Sequence, residues 1–168
     1  MNAALYCLFS LVTAFFRAGF VIQFRPAVVV PAVFAAAFGP WVGGVGAAIE
    51  TFVASIILYG SPLLTIFSGT PGNLAGFYVL GWICKKWRGD WRIGYALANI
   101  TGFLIGFTII AGGLYFLAAV IGLEMLASWL NPGFIATAIT FGILSELPFS
   151  IGVGIPVLVA LRKNGAIK

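Results

Sequence analysis

Apolar runs long enough to cross a lipid bilayer follow one another from Ala3 to Leu161, separated only by short polar breaks. A crossing helix needs roughly 20 such residues. Lipid offers no partner to an unpaired backbone N–H or C=O, so a spanning chain must be helical or a closed barrel. These runs are continuous and lack the polar alternation that a barrel lumen imposes, which selects helices. With 62% of residues hydrophobic, 8% charged, and no room for a soluble domain, residues 1–168 read as a single transmembrane domain, an all-α integral membrane protein.

Six spans are expected: Ala3–Phe20, Pro26–Phe38, Pro40–Tyr59, Asn73–Cys84, Ile93–Ile121 and Gly133–Leu161. The second is short, and Pro40 suits the first turn of the third. The linker YGSPLLTIFSGTPG reads as an irregular loop. The last two spans exceed a bilayer's need, so they should tilt or project. Lys85, Lys86, Arg88 and Arg92 lie between spans four and five, and Arg162, Lys163 and Lys168 follow span six. An even number of crossings puts both groups on one side. The positive-inside rule makes that side cytoplasmic, with both termini there and Arg25 left in an outside loop. This asymmetry accounts for the net charge of +5 without a nucleic-acid partner. The N-terminal run has no basic n-region and is expected to be retained, giving a multi-pass protein of the plasma membrane.

The chemistry available is limited. The chain has no histidine, which removes imidazole metal sites and the usual acid–base triads. GVGAAIE lacks the lysine of a phosphate-binding loop, so no ATP hydrolysis is expected. Cys7 and Cys84 are too few and too far apart for a zinc site or a disulfide framework. No enzymatic activity, metal or cofactor is expected. What remains is a set of costly polar groups in apolar surroundings, which in membrane proteins marks a ligand or ion path.

Glu50 is the clearest of these. At 1.5 Å per residue it lies about 13 Å from Trp41, near the midplane, and it shares a face with Gly39, Gly43, Ala47 and Ala54 that lets another helix approach. It is read as an intramembrane structural or pathway residue, for which Glu50→Gln should be tolerated and Glu50→Leu should not. Arg17 and Glu146 form the more plausible charge pair by depth. Pro148 and Pro156 should bend the helix around Glu146 and open a cavity there. Arg17, Asn73, Tyr78, Asn99, Trp129, Asn131 and Glu146 are the candidate solute-binding residues, placed in the outer half of the bundle.

The passages AAAFGPWVGGVGAAIE and GTPGNLAGFYVLG, with a short second span and cytoplasmic termini, resemble the substrate-binding S component of energy-coupling factor vitamin transporters. The resemblance covers nearly the whole chain. It implies a bundle of S-component kind that captures a water-soluble vitamin-like micronutrient outside the cell. It also implies a transmembrane coupling subunit and two ATPase subunits as partners, consistent with the missing phosphate loop. That family docks its partner through small residues on the first helix. Here the stripe is Ala3, Cys7, Ser10, Ala14 and Ala18, without strict alanines at a four-residue spacing, and Arg17 borders it. Two other classes stay open: a self-contained channel or ion-coupled carrier using Arg17, Glu50 and Glu146, and a membrane scaffold subunit that binds no solute.

Overall fold

The computed structural model describes residues 1–13, 17–18, 22–23, 25–122 and 131–167, with the side chains of 17, 18, 22, 23 and 134 left out. The described chain is helical apart from one two-residue ladder. Its elements are α1 (Asn2–Val12), β1 (Arg17–Ala18), β2 (Ile22–Gln23), a 3-10 turn (Pro26–Val28), α2 (Val29–Phe38) and α3 (Pro40–Tyr59). A short α4 (Leu63–Ile66), then α5 (Gly69–Lys86), α6 (Trp91–Ala119) and α7 (Pro132–Lys163) complete the chain.

Among the described residues three helices are long and apolar enough to cross a membrane: α3, α6, and α7 over Ile135–Lys163. The distribution of side chains on α3 identifies the solvent. Its buried residues include Gly43, Gly44, Ala47, Glu50, Thr51 and Ser55, whereas Val45, Ile49, Val53, Ile56 and Ile57 are exposed. In water this arrangement would bury the polar groups and expose the apolar ones, against the hydrophobic driving force. In lipid it is favourable, because the outward Val and Ile meet acyl chains and the small inward residues let helices touch. The chain is therefore a membrane protein.

Expected and observed bounds agree for Pro26–Phe38 and for α3, and the main differences lie in the first helix and ahead of span four. The first helix stops at Val12 rather than Phe20. Thr13 closes it, its hydroxyl donating to Phe9 O at 2.8 Å, and Arg17 and Ala18 then pair antiparallel with Gln23 and Ile22. The second helical segment, a three-residue 3-10 turn continued by ten residues of α2, rises only about 20 Å. The expected loop before span four contains α4, and α5 begins at Gly69 rather than Asn73. A single residue, Gly39, joins α2 to α3. Its φ of 103° suits glycine, and Pro40 starts the next helix at once.

Packing fixes which ends lie together. Asn2 donates to Val42 O at 2.7 Å, so α1 and α3 start side by side. Gly81, near the end of α5, sits so close to Pro40 that a Cβ there would lie 2.7 Å from Pro40 Cα. At the end of α7 the Arg162 guanidinium lies 4.2 Å from the Trp91 ring centroid at the start of α6. Both chain ends and the basic residues of the α5–α6 turn thus collect at one end of the bundle. The tightest seam is between α5 and α6. A Cβ on Gly76 would lie 2.8 Å from Gly102 O, and one on Gly102 would lie 2.6 Å from Gly76 O. Gly72 and Gly106 continue the same contact one turn further along.

Candidate functional site

The inward face of α3 carries Glu50 into the centre of the bundle, where it is 0% exposed. Its counter-ion comes from the residue before the 3-10 turn. Arg25 Nη2 donates to Glu50 Oε1 at 3.0 Å and to Oε2 at 3.3 Å, with the arginine side chain 22% exposed. Arg25 is held extended (φ −121°, ψ 75°), as the residue before a proline prefers, which aims it at α3. Arg25 lies in the connection between α1 and α2, outside any helix, and its guanidinium reaches Glu50 at mid-height of α3. A helical segment of about 20 Å cannot reach from the far surface of a layer roughly 30 Å thick to the Gly39 turn. Its start therefore lies at the depth of Glu50.

The polar chain continues into α5. Thr51 Oγ1 lies 3.1 Å from Glu50 Oε2 and 2.9 Å from Ala47 O, so its one proton serves either acceptor, and it accepts from Asn73 Nδ2 at 2.5 Å. On the other side Tyr6 of α1 is fully buried. The Arg25 guanidinium lies 5.6 Å from its ring centroid, and Phe77 meets the ring edge-on at 6.4 Å. Tyr6 Oη and Ser10 Oγ are buried without a hydrogen-bond partner among the described residues. Glu146 of α7, 7% exposed, lies within electrostatic reach of Arg25, Glu50 and Tyr6. The 3-10 turn and β2 pack against α7. Side chains from four helices and from the head of the 3-10 turn thus form one polar cluster, the chamber, at mid-height.

This places the expected site residues as follows. Asn73, Glu50 and Glu146 share the chamber. Arg17 is in β1, its side chain outside the described residues, and so is the expected Arg17–Glu146 pair. The Arg25 pairing also changes the expectation for Glu50→Gln, because a neutral amide would leave a buried guanidinium without its counter-charge.

Tyr78 is not part of the chamber. Its ring packs against Trp41 at 4.9 Å, towards the end of α5 that carries the lysines. Asn99 belongs elsewhere too. It sits about 12 Å from Trp91 along α6, in the half nearer the basic end. There, 0% exposed, it donates to Tyr95 O at 2.8 Å and accepts from Ser150 Oγ of α7, while Tyr95 Oη donates to Ser150 O at 3.0 Å. These three residues pin α6 to α7. Trp129 lies outside the described residues. Asn131 is exposed and immediately precedes α7, where its carbonyl accepts from Ile135 N at 3.0 Å.

The small-residue stripe expected to dock a partner is divided. Ser10 is buried within the chain, Ala3 and Cys7 are partly covered, Ala14 lies outside the described residues, and Ala18 is in β1 rather than on a helix. The exposed residues of α1 are Ala4, Leu8, Phe9 and Val12. The stripe fails as one surface because the helix that would display it ends at Val12.

Sequence reasoning missed Arg25 and Tyr6. The signal for Arg25 was the shortness of the second span, which forces its start below the surface. Tyr6 had a signal in its four-residue spacing from Asn2 and Ser10, a polar line on an otherwise apolar helix. Among the described residues no three histidine, cysteine or acidic side chains converge as metal ligands. What the chamber can do is hold charged and hydrogen-bonding groups away from water, where each such interaction is strengthened. Comparison with protein-family models, with curated proteins and with solved structures found no match for this chain.

Proposed function

We propose that this chain is a solute-capture subunit of the plasma membrane, of the S-component kind. It crosses six times with both termini in the cytoplasm, and takes up a small water-soluble, vitamin-like micronutrient. Transport is driven by a separate coupling subunit and two ATPases. The observation that carries this reading is the chamber: charged and polar groups from α1, α3, α5, α7 and the 3-10 turn converge inside an apolar shell, with the hydroxyls of Tyr6 and Ser10 left unpaired among the described residues. Buried polar groups are normally satisfied, and exceptions in a chamber point to a binding partner. The gathering of both termini and the basic residues at one end supports the even number of crossings.

The reading is tested by purifying the chain in mild detergent, denaturing it, and identifying what it releases by mass spectrometry. A small solute at about one per chain, lost in a chamber variant such as Asn73→Ala, is the expected result. A chain that never retains a solute, and whose expression gives no uptake alongside a coupling module, would remove it.

A second reading is favoured by one feature, the two carboxylates Glu50 and Glu146 buried within an apolar bundle, since intramembrane carboxylates serve proton and ion pathways. In that case vesicles containing this chain alone would show solute flux driven by a proton or ion gradient.

A further inference from the structure

We propose that a cavity at the basic end of the bundle binds the phosphate of an anionic phospholipid, with Arg162 as its cationic partner and Trp91 holding Arg162 in place. The assignment is independent of solute capture, since this cavity and the chamber share no residue.

Trp87 just after α5, Trp91 and Tyr95 at the start of α6, and Arg162 at the end of α7 surround a space of about 70 Å³, which Cys84 and Ile167 also line. Sites for a whole solute run to roughly 300–1,000 Å³, so this one suits a single compact group. Its walls are held in place. Trp87 Nε1 donates to Asp90 O at 2.9 Å, and a Cβ on Gly94 would lie 2.5 Å from Trp87 Cδ1, so the indole rests on the bare backbone of α6. After α7 the chain reverses through Gly165 (φ 69°), with Gly165 N donating to Arg162 O at 3.1 Å and Ala166 N to Leu161 O at 2.9 Å. The reversal brings Ile167 to the cavity and occupies carbonyls that would otherwise repel an anion there.

Charge at this end is one-sided. Lys85, Lys86, Arg88, Arg92, Arg162 and Lys163 gather there with one acid, Asp90, whose carboxylate accepts from Arg92 N at 2.8 Å. Among the described residues none of these cations has a carboxylate partner, the one ion pair being Arg25–Glu50. The exposed Arg162 guanidinium lies 4.2 Å from the Trp91 ring centroid, and that of Arg92 lies 5.7 Å from the same ring. Stacking fixes the plane of a guanidinium and leaves its N–H groups to donate, which suits phosphate oxygens.

Position favours a lipid over a soluble anion. Tryptophan belongs at the headgroup level of a bilayer, and Trp87 and Trp91 put the cavity there. Exposed Ile93 and Leu97 of α6 and Val157 of α7 continue from it along the bundle, as acyl chains require. Basic pockets between transmembrane helices on the cytoplasmic side take anionic headgroups. A zwitterionic headgroup would bring its own cation towards Arg162.

The test adds dioleoyl phosphatidylglycerol, dioleoyl phosphatidylcholine or soluble glycerol phosphate to the full-length chain in mild detergent, and follows binding by native mass spectrometry. Phosphatidylglycerol is expected to bind about tenfold more tightly than phosphatidylcholine or better, and glycerol phosphate should not displace it. Arg162→Gln should abolish the preference. Trp91→Leu should weaken it by about threefold, and Arg88→Gln, which does not line the cavity, should leave it unchanged. Equal binding of the two lipids by the unaltered chain would overturn the proposal, a comparison that needs no variant to fold. So would a preference that survives Arg162→Gln, or displacement of the lipid by an equal concentration of glycerol phosphate, which would make the ligand a soluble phosphate instead.

Discussion

Two buried polar clusters lie within the same apolar bundle, and they differ in whether they are complete. Tyr95, Asn99 and Ser150 are neutral, come from the two long helices α6 and α7, and satisfy one another. Tyr6, Arg25, Glu50, Thr51, Asn73 and Glu146 include three charged groups, come from five elements, and leave the Tyr6 hydroxyl unpaired among the described residues. A closed neutral network in lipid fixes helices in register at modest cost. An open charged one is kept for something else, since desolvating charge costs more than apolar packing of the same volume would.

The comparison breaks most sharply at Arg25. Arg25→Ala leaves the buried Glu50 carboxyl without its partner, and should cost about 3–5 kcal/mol in unfolding measured by denaturant titration in mixed micelles. Adding Glu50→Leu should recover part of the loss, with a coupling between the two sites of about 0.5–3 kcal/mol. Strict additivity would mean that the pair contributes nothing as a pair. Next in size is Asn99→Leu in the neutral cluster, which orphans the Ser150 hydroxyl and should cost about 1–3 kcal/mol. Solute retention should be unaltered, because the clamp lies outside the chamber; loss of retention in a folded Asn99→Leu protein would merge the two clusters into one.

The smallest effects come from removing the same atom in both places. Tyr95→Phe breaks the bond to Ser150 O and should cost about 0.5–1.5 kcal/mol, whereas Tyr6→Phe removes a hydroxyl with no partner among the described residues and should be neutral or slightly stabilising. A Tyr6→Phe penalty as large as that of Tyr95→Phe would indicate that the chamber is as closed as the clamp.

How far the sequence foretold these clusters depended on the range of each signal. The inward face of α3 was legible, since Gly43, Ala47, Glu50 and Ala54 recur at helical spacing and all are buried. FGP correctly marked the abrupt α2–α3 junction, because one glycine followed by proline carries its own geometry. The partner of Arg25 was not legible, since charge counting assigns a loop to a side of the membrane and says nothing about depth. That of Asn99 was hidden for a related reason. A polar residue in an apolar run signals a partner without naming it, and Ser150 lies on a helix that is distant in sequence. The end of α1 had only Thr13 and Gly19 to mark it, weak signals inside a run apolar enough to suggest a full crossing.

The contact of backbone on backbone between α5 and α6 also bears on how the chain is made. α5 is not among the helices apolar enough to cross unaided; it carries Thr70, Asn73, Lys85 and Lys86, and its glycines leave its main chain bare. Released into lipid during synthesis before α6 exists, it would expose those groups. The turn to α6 is short, and Gly72 and Gly76 have their seats on Gly106 and Gly102 of the segment translated next. The two should therefore leave the insertion machinery as a hairpin. In a glycosylation-mapping assay, α5 alone should integrate poorly, and the α5–α6 pair should integrate efficiently unless Gly76 is made bulky.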